Sequence, residues 1–288
     1  MKTVYPILLL SGLILLVGCN PKNKSNSQSK NTVTVQTAKK LKVTPEFVQI
    51  KTIGTHLVSP QKDSLAIDVA QTAILVVDME NDFGSKGGMF DRAGIPISDI
   101  QKAVAPTSDV LSTAKQAGIK IIYLKMAYSP DLSDVGDEGS INRLQDGYFA
   151  GDTIIAPDGS KSRILIRDSW GTEIVHELKP KADDIIIHKT RFSGFYKTDL
   201  DSTLKKLGVK YLIVTGCTTS VCVESTVRDA MFRDYLSIVL EDCTAEPRGT
   251  KDATLKIIQS GQFGWVSNSE EFIKAIESNK VHSTNPSI

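Results

Sequence analysis

Five apolar runs punctuate the chain: TAILVVD at 72–78, KIIYLKM at 120–126, DIIIHK at 184–189, KYLIVTG at 210–216 and LSIVLED at 236–242. They scarcely alternate with polar residues, which is the pattern of strands buried on both faces rather than on one. Helical patterns lie between them: 100–117 closed by Gly118, 199–207 closed by Gly208, 222–234, and 250–260 closed by Gly261. A short strand in QFGWVS and a helix in EEFIKAIES complete the series. Strand and helix in alternation require right-handed crossovers and give a mostly parallel sheet with helices on both faces. The expectation is one α/β domain over residues 46–280, a three-layer α/β/α sandwich, with a C-terminal tail at 281–288. Residues 127–170 break the alternation with the turn-rich segments SPDLSDVGDEGS and APDGSKS, and read as an insertion serving as a lid.

The N-terminus obeys different rules. Lys2 gives a positive start, residues 7–17 form an apolar run, and Gly18 precedes Cys19. That layout is a secretory signal over residues 1–18, too short to suit a spanning helix. The segment LVGC at 16–19 resembles the lipobox of bacterial lipoproteins, which implies that Cys19 is lipidated and becomes the mature N-terminus. Several acyl chains on one residue anchor stably to a bilayer, so the expected location is the bacterial cell envelope, at the outer membrane if the source is Gram-negative. Residues 19–45 then read as a polar tether, rich in Asn, Ser, Gln and Lys, with no apolar face to pack.

Lys plus Arg number 34 against 33 Asp plus Glu, so no basic excess exists to hold a phosphate backbone, and nucleic acid is not an expected partner. GxGxxG after the first strand, the Walker loop, GxSxG and HExxH are all missing, and the four histidines are scattered. Without a Cys/His cluster for zinc, the sequence points to a mechanism with no metal and no cofactor.

Ligands of open parallel sheets bind outside the carboxyl ends of the strands. Three such ends carry chemistry. The first strand ends at Asp78, the third at Lys189, and the fourth runs through CTTSV into Cys222. A thiol becomes a nucleophile as thiolate, and a helix N-terminus with a nearby ammonium lowers its pKa; both are expected at Cys222. Asp78 is the candidate proton acceptor, Lys189 the balancing charge, and the backbone N–H groups of Thr218 and Cys222 the candidate oxyanion donors. Each residue also has a bland reading: Asp78 as a turn cap, Lys189 as a solvated cation, Cys222 as a small hydrophobe. Cys243 takes the last of these readings, and Cys217 with Cys222 lacks the CxxC spacing of thiol oxidoreductases.

DMENDF at 78–83, HKTRFSGF at 188–195 and VTGCTTSVCVESTVRDAMFRDY at 214–235, followed by VLEDCT, together resemble the isochorismatase-like cysteine hydrolase family. The combination with SWGTEIVHEL and GWVS resembles its ureidoacrylate amidohydrolase branch. The resemblance implies a catalytic set of Asp78, Lys189 and Cys222, a cis peptide between Cys217 and Thr218, and substrate contacts from Asn81, Phe83 and Phe192, the last in place of a more usual Tyr. It also implies a homo-oligomer and a small amide or ureido substrate. Nicotinamide, biuret and N-carbamoyl amino acids stay open as substrates, as does a tethered binding protein that has lost catalysis.

Overall fold

The computed structural model describes residues 46–54, 63–145, 148–260 and 262–283, which fall within one compact unit. The expected signal segment 1–18, Cys19 and the tether 19–45 lie outside the described residues, as do positions 284–288 of the expected tail.

Six strands form the central sheet: β3 (Thr72–Val77), β4 (Lys120–Met126), β9 (Ile185–Lys189), β10 (Tyr211–Cys217), β11 (Leu236–Ala245) and β12 (Trp265–Ser267). Their order is β12-β11-β10-β3-β4-β9, and every neighbouring pair is parallel. The apolar runs are explained by burial on both faces. Ile74, Val76, Ile121, Tyr123, Ile213, Ile238 and Leu240 join the core under helices α3 (Ser98–Gln116) and α7 (Ser269–Ser283). Leu75, Val77, Ile122, Leu124, Leu212, Val214 and Val239 join the core under α4 (Leu200–Leu207), α5 (Glu224–Met231) and α6 (Lys251–Ser260). Alternate residues of one strand thus serve opposite layers, and the expected α/β/α sandwich is the architecture found.

The chain winds outward from β3 through β4 to β9, then returns to β10 beside β3 and winds the other way. The switch point therefore lies between β3 and β10, and the carboxyl ends of strands beside such a point are where open α/β sheets take their ligands. The two strands approach so closely there that a Cβ on Gly216 would stand 1.9 Å from the Val77 carbonyl oxygen, and Gly216 adopts φ +112°; only glycine suits both demands.

Three features depart from expectation. Strands β1 (Phe47–Lys51) and β2 (Ser64–Asp68) pair antiparallel ahead of the sheet; their one-sided alternation, with Ile50 and Ile67 fully buried, is the signal that marks them in the sequence. Segment 127–170, expected as an insertion, carries strands and core residues of its own. It contains the hairpins β5 (Leu144–Gln145) with β6 (Tyr148–Phe149) and β7 (Thr153–Ile155) with β8 (Lys161–Arg163), and its Tyr128, Ile164 and Leu165 are fully buried. It is tied to the short helices α1 (Asn81–Gly84) and α2 (Met89–Arg92) through Asp82, which accepts hydrogen bonds from Leu165 N at 2.8 Å and Met89 N at 3.3 Å. Finally, the expected helix over 222–234 begins as a π-helical turn, Thr219–Val223, before α5. The Thr218 carbonyl accepts from both Val221 N and Val223 N at 3.2 Å, and the longer bond widens the turn.

Candidate active site

Asp78 follows β3 directly and holds φ +50°, a left-handed conformation uncommon for a residue with a Cβ. Its N–H donates to Leu124 O at 2.9 Å, and its carbonyl accepts from the Cys217 thiol at 3.0 Å. These two bonds, from the strands on either side, hold the backbone of Asp78 at the switch point. Lys189, the last residue of β9, reaches across the end of β4, and its Nζ stands 2.7 Å from Asp78 Oδ2. The same Nζ lies 3.4 Å from Cys222 Sγ, 3.3 Å from Arg191 O and 3.6 Å from Met126 Sδ. Asp78 and Lys189 are fully buried, and Cys222 is 7% exposed. The three residues expected from the strand ends are brought together. The bland readings of Asp78 as a cap and Lys189 as solvated are displaced, and Cys217 and Cys222 are free thiols.

The electrostatics correct one expectation. Burial pushes the Cys222 thiol up, Asp78's charge adds to that, and Lys189 only partly opposes it; the resting thiol is not activated. Burial likewise raises the Asp78 carboxyl, against the pull of the Lys189 ammonium and the Cys222 S–H. For Lys189 burial pulls downward, but the Asp78 charge, the neighbouring Cys222 sulfur and the bond to Asp78 outweigh it, leaving the ammonium above its ordinary value. The site therefore holds a charged Lys189 and Asp78 pair beside a neutral thiol, with a carboxylate of raised basicity positioned to take the thiol proton.

The peptide bond Cys217–Thr218 is cis, as the resemblance implied. Thr218 and Cys222, whose N–H groups are the candidate oxyanion donors, are both buried on the same turn. The expected substrate contacts are treated unequally. Asn81 Nδ2 donates to Trp170 O at 2.9 Å and Asn81 Oδ1 accepts from Ser85 Oγ at 2.6 Å, so each end of its amide already has a protein partner. Phe83 is buried edge-to-face on Phe90, with ring centroids 5.0 Å apart. Phe192 is 39% exposed in the loop after β9.

Two buried acids of the DMEND segment escaped the sequence reading. Glu80 is fully buried, accepts from Met126 N at 2.6 Å through Oε1, and leaves Oε2 without a hydrogen-bond partner among the described residues. Burial and the Asp78 charge hold its carboxyl well above the usual range. Asp82 is raised to about 6 by burial, offset by its bonds from Leu165 and Met89. Acids at alternate positions directly after a buried strand were the available signal. Among the described residues, no group of three or more His, Cys, Asp or Glu side chains could hold a metal ion.

Residues 72–271 match the model of the isochorismatase domain. Over 221 residues the chain is 38% identical to the ureidoacrylate amidohydrolase RutB of Caulobacter segnis, covering 76% of this chain and 91% of that one. It is 38% identical over 216 residues to the protein of the same name from Serratia proteamaculans, covering 74% and 86%. Among solved structures, a cysteine hydrolase from Pseudomonas syringae pv. phaseolicola superposes with TM-score 0.62 at 30% identity, covering 74% of this chain and 95% of the other. N-carbamoylsarcosine amidase from Thermoplasma acidophilum superposes with TM-score 0.52 at 25% identity, covering 69% and 97%.

Proposed function

The chain belongs to the isochorismatase family, and from that premise we propose that it is a cysteine amidohydrolase cleaving the C–N bond of a small ureido substrate of the ureidoacrylate type. The observation that carries this reading is the buried constellation of Lys189 Nζ within 2.7 Å of Asp78 and 3.4 Å of Cys222 Sγ. Relatives named for ureidoacrylate and N-carbamoylsarcosine support the substrate class.

In the proposed reaction the Cys222 proton passes to Asp78 as Sγ bonds to the substrate carbonyl carbon. The developing oxyanion faces the N–H groups of Thr218 and Cys222, and Lys189 compensates the charge on the thiolate. Collapse breaks the C–N bond, and the amine leaves with the proton held by Asp78. Water then gives a proton to Asp78 and attacks the carbonyl carbon of the S-carbamoyl enzyme; the C–S bond breaks and the thiolate recovers the proton. Because the resting thiol is neutral, proton transfer and attack are coupled, which keeps an unused nucleophile from reacting elsewhere.

The test is amine or ammonia release by the full chain and its Cys222→Ala variant from ureidoacrylate, N-carbamoyl compounds, biuret, nicotinamide and short amides. Cys222-dependent turnover confined to ureido compounds is expected. Turnover of nicotinamide alone would reassign the substrate, and none at all would leave a binding protein on this fold.

The same proposal includes the address: Cys19 lipidated, residues 19–45 as tether, and the domain held as a homo-oligomer at the cell envelope. Its support is the LVGC segment and the apolar run at 7–17. A Cys19→Ala chain should move from the membrane to the soluble fraction, and light scattering on that soluble form reads the assembly state.

A further inference from the structure

The nucleophile turn is held from outside by a buried carboxylate. Glu246 follows β11 at the point where that strand's last pairing, Cys217 with Ala245, ends. It is 4% exposed. Its Oε2 accepts from Ser220 N at 3.1 Å and also from Ser220 Oγ. Ser220 lies inside the π turn, two residues before Cys222. The other oxygen, Oε1, accepts from Arg248 N at 3.1 Å and faces the Arg248 guanidinium at 3.8 Å. That guanidinium lies over the Phe90 ring, 5.4 Å from its centroid, and Phe90 packs edge-to-face on Phe83.

A carboxylate taken out of water is costly unless its oxygens are filled by donors, and donors bound to an ionised acceptor make shorter, stronger contacts than neutral ones. Glu246 directs one whole oxygen to a single residue of the turn. The backbone bonds of the turn run from Val221 N and Val223 N to Thr218 O and from Glu224 N to Thr219 O, so they tie its start to its end. A carboxylate bonded to the N–H and hydroxyl of Ser220 fixes the middle.

Resting on the amidohydrolase reading for its activity arm, we propose that Glu246 is a positioning residue that aims Cys222 at the substrate carbonyl through Ser220, and links that aim through Arg248 to the aromatic pair Phe90 and Phe83. Displacement of a reacting group by about 1 Å costs on the order of 100-fold in rate even when the change lies away from the chemistry, so the effect belongs to kcat rather than to KM.

The experiment uses the full chain with Glu246→Ala, Glu246→Gln and Ser220→Ala. It measures kcat and KM on the best ureido substrate, and the iodoacetamide rate at Cys222 at alkaline pH, read by mass spectrometry of the Cys222 peptide. Glu246→Ala should lower kcat by roughly 10- to 100-fold with little change in KM, and change the alkylation rate by several-fold. Glu246→Gln, whose amide oxygen still accepts from Ser220, should recover most of kcat. Ser220→Ala removes one small hydroxyl and should fall between. If Glu246→Ala does not fold, Ser220→Ala and Glu246→Gln carry the decision. Variants that match the parent within two-fold in kcat and in alkylation overturn the proposal, as does an equal loss in Glu246→Ala and Glu246→Gln. If the parent turns over nothing, the amidohydrolase reading fails separately, and the alkylation rates alone decide the role of Glu246.

Discussion

Lys189 and Asp78 form an ion pair of 2.7 Å between strands that are not neighbours: β4 lies between β3 and β9. The ammonium crosses the end of β4 and touches the sulfur of its last residue, Met126, on the way. Both charges are sealed from water, so each is tolerable only because of the other.

Removing one partner should therefore cost more than removing both. Lys189→Met leaves a carboxylate in an apolar site and should destabilise the fold by about 3–5 kcal/mol in urea unfolding. The double variant Asp78→Asn with Lys189→Met should regain a large part of that while staying inactive. A single Lys189→Met variant as stable as the parent would refute the burial argument.

Asp78→Asn separates basicity from charge at the thiol. It should lower turnover at least about 100-fold, because the proposed proton acceptor is gone. Burial, the Asp78 charge and a hydrogen bond to Asp78 hold the thiol up in the parent, so Cys222 there should alkylate only at pH above that of a free thiol near about 8.5. The Asn variant should alkylate at lower pH than the parent. Faster alkylation with slower catalysis is the signature; a parent thiol that labels readily at neutral pH would contradict the structure.

Asp82 makes stability depend on pH. Its folded-state value is about 6 against an ordinary 3.8, so the folded state binds the proton more tightly than the unfolded chain. The stability this confers is fully present below the unfolded value and is lost as pH rises through about 6. The loss should be on the order of 3 kcal/mol. In Asp82→Asn the fall between pH 4 and 6 should be shallower, as measured by thermal melts across that range, although one of the two N–H donors, Leu165 or Met89, loses its partner.

Gly216→Ala tests the switch point. Its Cβ would meet the Val77 carbonyl at 1.9 Å with φ at +112°. Forcing β3 and β10 apart should cost about 3 kcal/mol or more and lower turnover, because Asp78 and Cys222 hang from those two strands. The comparison is Gly118→Ala, where the φ is also positive but no atom lies within 4 Å; it should lose stability only.

Much of this was legible in the chain. Runs such as TAILVVD and KYLIVTG read as doubly buried strands because β3 and β10 are covered on both faces, and the chemistry-bearing residues lay at strand ends because that is where such sheets open. Glu246 and Asp82 were not legible. Their roles depend on contacts across 26 residues, from Glu246 to Ser220, and across 83, from Asp82 to Leu165, and no local pattern encodes a partner so distant. The segment 127–170 was legible only in part for a related reason: its Pro, Gly and Asp turns are local, whereas the burial of Tyr128, Ile164 and Leu165 is tertiary.

Residue type and periodicity, properties of neighbours along the chain, determined the layers, the parallel sheet and the identity of an acid, a base and a thiol. Tertiary structure alone decided their charge states. A proton's free energy at Cys222 or Asp78 depends on water excluded by the surrounding fold and on an ammonium delivered by β9, two places from β3 and three from β10. The thiol looked activated from its neighbours in sequence and is neutral in the fold, because desolvation is set by what surrounds a group in space.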